Sequence, residues 1–179
     1  MSNLAVVVAE LERHAAQAGW DQPSRLYALV PTDELLAAEP GLAETLADRR
    51  DGLTAIEQDP LPHDRSLEDV LASAEWPAAV AGVAAVAERV VLPPGADADL
   101  PEEPAAAAAY AQNHPDRQEV RIVAAATRSG ETFCALRLRS HDEDASVVTG
   151  PDLIPGLVDL LHLTLSDVAP DSLSEKEDS

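Results

Sequence analysis

The sequence predicts an α+β fold, with an antiparallel sheet of about five strands and helices packed on one face. Three observations predict it. Apolar residues recur at helical spacing at both ends of the chain, in 4–18 and 153–166. Two apolar runs, 119–127 and 132–140, flank Arg128-Ser129-Gly130-Glu131, the clearest hairpin signature in the sequence. The length of 179 residues suits a single domain, expected over 1–169, with 170–179 a disordered acidic tail.

Each element has its own signal. In 4–18, Leu4, Val7, Val8, Leu11, Ala15 and Ala18 form one stripe, Ser2 or Asn3 can cap it, and Gly19 can end it. Glu10, Glu12 and Arg13 are expected to face water. A turn over 19–23 leads into a strand at 25–30, which Pro31 closes. Thr32 is placed as the cap of a short helix running to Glu39. Residues 53–58 read as a second strand and 59–64 as a loop. Ser66, with Asp69 three positions later, opens a helix that Pro77 stops after Trp76. Residues 78–92 mix alanine, which favours helix, with recurrent valine, which favours strand; the strand reading is preferred. An acidic, proline-rich loop over 93–104 precedes a helix that starts at Pro104 and ends at Asn113-His114-Pro115.

Polarity sets the expected hairpin register. Placing Ile122 opposite Leu138 and Ala124 opposite Leu136 gathers Val120, Ile122, Ala124, Ala126, Cys134, Leu136 and Leu138 on one apolar face. The other face then carries Glu119, Arg121, Val123, Phe133, Arg137, Arg139 and His141, which gathers three arginines as a basic patch exposed to solvent. Arginine offers a planar fork for carboxylate or phosphate, so these three are a candidate binding surface; an ordinary solvated strand face is the plainer alternative. Trp20 and Arg25, flanking the first turn, join the same surface, with a lid over the core as the plainer role for Trp20. In the last helix, Leu157, Leu160, Leu161 and Leu163 wrap much of the circumference. A helix apolar nearly all round is buried on more than one side, which makes these leucines a candidate interface with a second copy or a partner; packing between the sheet and the first helix is the plainer alternative.

Composition narrows the function. Thirty-three acidic against 12 basic residues give a formal charge of −21, a field that repels nucleic-acid backbones and anionic membranes. No stretch is long enough to span a membrane and no signal peptide opens the chain, so a cytoplasmic location is expected. Cys134 is the single cysteine, which excludes an internal disulfide and cysteine-based zinc sites; its apolar neighbours predict a buried, inert thiol. His141-Asp142-Glu143-Asp144 lacks calcium-loop spacing and reads as an acidic loop, as does His63-Asp64. Asp159, His162 and Ser166 share a helix face but have no oxyanion hole. Glycine-rich phosphate loops and nucleophile elbows are absent. No catalytic residue, metal or cofactor is assigned.

Gly19-Trp20-Asp21, Arg25-Leu26-Tyr27-Ala28-Leu29-Val30, Glu75-Trp76-Pro77, Val91-Leu92-Pro93-Pro94, His114-Pro115 and Asp152-Leu153-Ile154-Pro155-Gly156 together resemble a family of acidic, uncharacterised actinobacterial proteins. The resemblance covers nearly the whole chain except the tail. Separately, the order helix, strand, strand, strand, helix, strand, strand, helix is similar to that of type III secretion chaperones and YbjN-like proteins. That similarity implies a protein-binding or chaperone-like module that acts on a protein partner or as a homodimer. The alternative is a protein that binds a small anionic molecule, or an enzyme with an unrecognised site.

Overall fold

The apolar hairpin becomes the middle of a sheet in which both faces are covered. The computed structural model describes residues 3–42, 52–62, 64–92, 100–151 and 153–165. The order is α1 (Asn3–Ala18), β1 (Arg25–Pro31), α2 (Thr32–Ala38), β2 (Leu53–Glu57), α3 (Leu67–Ala72), β3 (Gly82–Val91), α4 (Pro104–Asn113), β4 (Gln118–Thr127), β5 (Thr132–Leu138), β6 (Val148–Gly150) and α5 (Pro155–Thr164). All strand pairs are antiparallel, in the order β2-β1-β3-β4-β5-β6. The α+β class therefore holds, with six strands where about five were expected. The extra strand, β6, is three residues long, too short to show a period.

The valine-rich segment is a strand, β3, because it lies at the sheet centre between β1 and β4. There, fit to a doubly covered surface outweighs alanine's helical preference. Ser66 caps α3 as its spacing implied, accepting a bond from the Asp69 backbone N–H at 3.1 Å. Thr32 is instead the first helical residue of α2, follows Pro31, and shares a 2.8 Å hydroxyl contact with Thr54. α3 stops at Ala72, short of Trp76.

Two corrections concern faces and register. Helices cover both faces of the sheet. Leu4, Val7, Val8 and Leu11 of α1 pack on Tyr27, Leu29, Ala84, Val86, Val123, Ala125 and Ala135. On the opposite face, Leu67 and Leu71 of α3 and Leu157, Val158 and Leu161 of α5 pack on Leu26, Ala28, Val83, Ala85, Ile122, Ala124 and Cys134. A strand buried on both faces reads as a continuous apolar run, and Val83–Ala87 and Ile122–Ala126 are such runs. In the hairpin, Ile122 pairs with Leu136 and Ala124 with Cys134, two residues from the expected pairing. The turn closes through Thr127 N–H to Glu131 O and Gly130 N–H to Thr127 O, with Gly130 at φ 95°. A slip of two keeps every side chain on its face, so the face assignment survives the shift.

Small residues dominate the centre: Ala84 opposes Ala125, and Ala85 opposes Ala124. Gly82 is required at the start of β3, since a Cβ there would lie 2.7 Å from the Ala126 carbonyl oxygen. Arg128 then ties the far end of this layer together. Its guanidinium donates to the carbonyls of Val80 (2.7 Å), Trp76 (3.1 Å), Pro77 (3.0 Å) and Leu165. Cys134 is fully buried, as its neighbours implied. No helix among the described residues is long and apolar enough to cross a membrane. The acidic tail lies outside the described residues, as do residues 93–99 of the proline-rich loop, Ser2, His63 and Ser166.

Candidate functional site

The basic face expected in solvent lies under α1. Arg121 and Arg137 are 1% and 2% exposed. They face each other across β4 and β5, and two like charges so placed repel unless acids intervene. Glu12, expected to face water, supplies one. It is 5% exposed and accepts from Arg137 Nε and Nη2 at 2.8 and 2.7 Å. Asp142 and Asp144, from the segment after β5, complete the set at 3.0 and 2.6 Å. The Glu12 bond leads in raising the Arg137 guanidinium further above its ordinary range. The His141–Asp144 stretch thus has a purpose that the reading as a plain acidic loop missed: it seals a buried arginine. Among the described residues, no group of His, Cys, Asp and Glu could hold a metal ion.

Trp20 joins the first turn to this layer. Its Nε1 donates to Asp142 Oδ2 at 2.9 Å, and its ring stacks on the Arg121 guanidinium, 4.3 Å from ring centroid to Cζ. Half-buried, the ring covers the Arg121 guanidinium. The turn itself is strained: Asp21 sits at φ 64°, a region non-glycine residues seldom occupy. Glu88 of β3 pins it by accepting the backbone N–H groups of Asp21 and Gln22 at 2.9 and 2.8 Å. Arg139 lies beyond β5 in a 3-10 turn, exposed, and binds Asp21 and Glu119.

The Trp20 bond, ahead of Arg137, holds the Asp142 carboxyl below the usual range. A lowered native pKa stabilises the fold above the unfolded carboxylate value of about 3.9, and that contribution disappears as pH falls through the lowered value. Urea unfolding midpoints should therefore be steady near neutrality and fall below about pH 4. In Trp20→Phe, which lacks the donor, that acid limb should be shallower; an unchanged limb would remove the Trp20–Asp142 bond from the account.

Arg25 is the member of the expected surface that opens onto real space. Beyond it lies a cleft of about 450 Å³ between the start of β1, the segment after β2 and the start of α3. Arg25, Arg65 and Arg89 line it, with Pro23, Pro60, Leu61, Pro62 and Leu67 as apolar wall and Glu57, Asp59 and Glu68 as acids. Arg25 lies 3.8 Å from Glu57, with its side chain 29% exposed. Arg89 pairs with Glu68, and Arg65 donates to the Asp69 carbonyl and the Ser73 hydroxyl. Sequence reading missed Arg65 and Arg89, which lie about 40 and 64 positions from Arg25 and share no motif with it.

The leucine-rich helix is largely spoken for by its own domain. Leu157 and Leu161 are buried in the core, at 7% and 0% exposure, and Leu160 packs at its edge. The second covered side is supplied by α3, and Trp76 donates to Thr164 Oγ1 at 3.0 Å. Leu163 alone of the four is exposed, at 67%.

A family model described as PPA1309-like protein matches residues 4–166. No curated protein and no solved structure matches.

Proposed function

The chain belongs to the PPA1309-like protein family, and for this member we propose that it binds a small organic anion in the cleft beside Arg25. One observation carries the reading: three arginines converge on an apolar-walled cleft of about 450 Å³ in a chain of net charge −21. That volume lies in the range of small-molecule sites, which combine apolar walls with a few placed polar groups. The existing ion pairs do not block a ligand. Solvent-exposed pairs contribute only about 0–1 kcal/mol, so an incoming carboxylate or phosphate exchanges one partner for another at small cost.

Calorimetric titration with hexanoate and hexyl phosphate tests this. At least one should bind saturably, and Arg65→Gln with Arg89→Gln should weaken it about tenfold, the effect of removing a charged hydrogen bond. Heat of dilution alone for both ligands would sink the proposal.

A second reading, a chaperone-like protein-binding module, has two observations in its favour. The element order follows helix, strand, strand, strand, helix, strand, strand, helix apart from short insertions, and Leu163 stands exposed on α5.

A further inference from the structure

A small cavity adjoins the cleft and shares Pro23 and Arg25 with it. It lies between the end of α1, the turn that follows, and strands β1, β3 and β4. Arg121 forms part of its wall. This guanidinium is 1% exposed. Nη2 donates to the Gly19 carbonyl, while Nη1, buried, has no hydrogen-bond partner. A buried charged donor left unsatisfied is costly, and a site that tolerates one is arranged for something that arrives.

We infer that the cleft ligand inserts a monocarboxylate head group here, between Arg25 and Arg121. The inference rests on the proposed binding function and specifies its ligand class. Charge supports an anion. The cavity wall holds two guanidinium groups and one carboxylate, Glu88, and both Glu88 oxygens already accept backbone N–H groups of the turn. Tyr27 also lines the cavity, with its hydroxyl donating to Glu57 Oε1 at 3.5 Å.

Size selects among anions. The cavity measures about 10 Å³, room for about one water-sized group. One oxygen of a planar carboxylate can enter edge-on, with the other left at the mouth for Arg25. A tetrahedral phosphate presents too much bulk, and its second charge is further opposed by the chain's negative field.

Thermal unfolding with acetate or inorganic phosphate at matched ionic strength isolates the head-group site, because acetate has no body to fill the cleft. Wild type should gain a saturable rise in Tm with acetate and none with phosphate. Arg121→Gln should lose the acetate response. Arg25→Gln, at a position whose side chain is 29% exposed, should weaken acetate at least about tenfold and serves if Arg121→Gln does not fold. Equal responses to acetate and phosphate, or an acetate response unchanged in either variant, would overturn the inference. The two proposals separate cleanly. If hexanoate binds independently of Arg121, the cleft reading stands and this one falls. If acetate depends on Arg121 but lengthening the acid adds no affinity, the head-group site beside Arg121 stands alone and the cleft reading falls, and with it the inferred cleft ligand.

Discussion

Replacing Glu12 with alanine should destabilise the protein by about 3–5 kcal/mol, the range for breaking a buried ion pair by removing one partner. For a chain of this size that corresponds to a fall in Tm of about 6–20 °C. The expectation follows from burial. Glu12 and Arg137 are 5% and 2% exposed and joined by two bonds of 2.7–2.8 Å. Removal of Glu12 leaves Arg137 facing Arg121 across the strand pair, with only Asp142 and Asp144 for compensation, and their side chains are 45% and 83% exposed. The double variant Glu12→Leu with Arg137→Met should recover most of the loss, because a buried pair replaced by well-packed apolar groups is often neutral or better. Asp144→Ala should change stability by less than about 1 kcal/mol. Urea unfolding of the four proteins decides it. A Glu12→Ala change below about 0.5 kcal/mol would mean that α1 is not held down by this pair.

Leu161→Ala should cost about 2–5 kcal/mol, while Leu163→Ala should stay within about 0.5 kcal/mol. The two positions lie two residues apart on α5 and differ only in what surrounds them. Leu161 is fully buried between the sheet and α3, and Leu163 is 67% exposed. Truncation at Leu161 removes methyl groups and leaves a cavity among Leu67, Leu71, Leu157, Leu165 and the apolar sheet residues, and the cost depends on how far that layer can close over it. Comparable losses at both positions would indicate that Leu163 is covered in solution, which would strengthen the reading of α5 as an interface. Native mass measurement of the same samples reports whether that cover is a second copy of the chain.

Local features of the fold were legible because their signals are local. The Ser66 cap, Pro104 at a helix start, Gly130 in the hairpin turn and the face alternation of Val120 to Ala126 each depend on a few neighbouring residues. The layer count was not legible. Alternation in the hairpin suggested one wet face, since Arg121 and Arg137 interrupt an otherwise apolar run. The burial of Arg137 depends on Glu12 at the far end of the sequence and on Asp142 in a segment without regular structure, and Arg121 lies under Trp20 and the Gly19 carbonyl. An arginine on a strand looks the same whether water or a helix covers it. Glu12 did carry a faint signal: it follows Leu11, a core residue of α1, and so lies at the margin of the apolar stripe rather than opposite it. The candidate site was legible only at Arg25. Arg65 and Arg89 reach the cleft through the paths of α3 and β3, and the bond that Arg121 lacks exists only in three dimensions.

The binding account is tested most directly by a crystal structure of the protein with hexanoate. Carboxylate density is expected within hydrogen-bond distance of Arg121 Nη1, with the alkyl chain running past Arg25 towards Leu61 and Leu67. A cleft without ligand, with water at Arg121 Nη1 under saturating hexanoate, would contradict it.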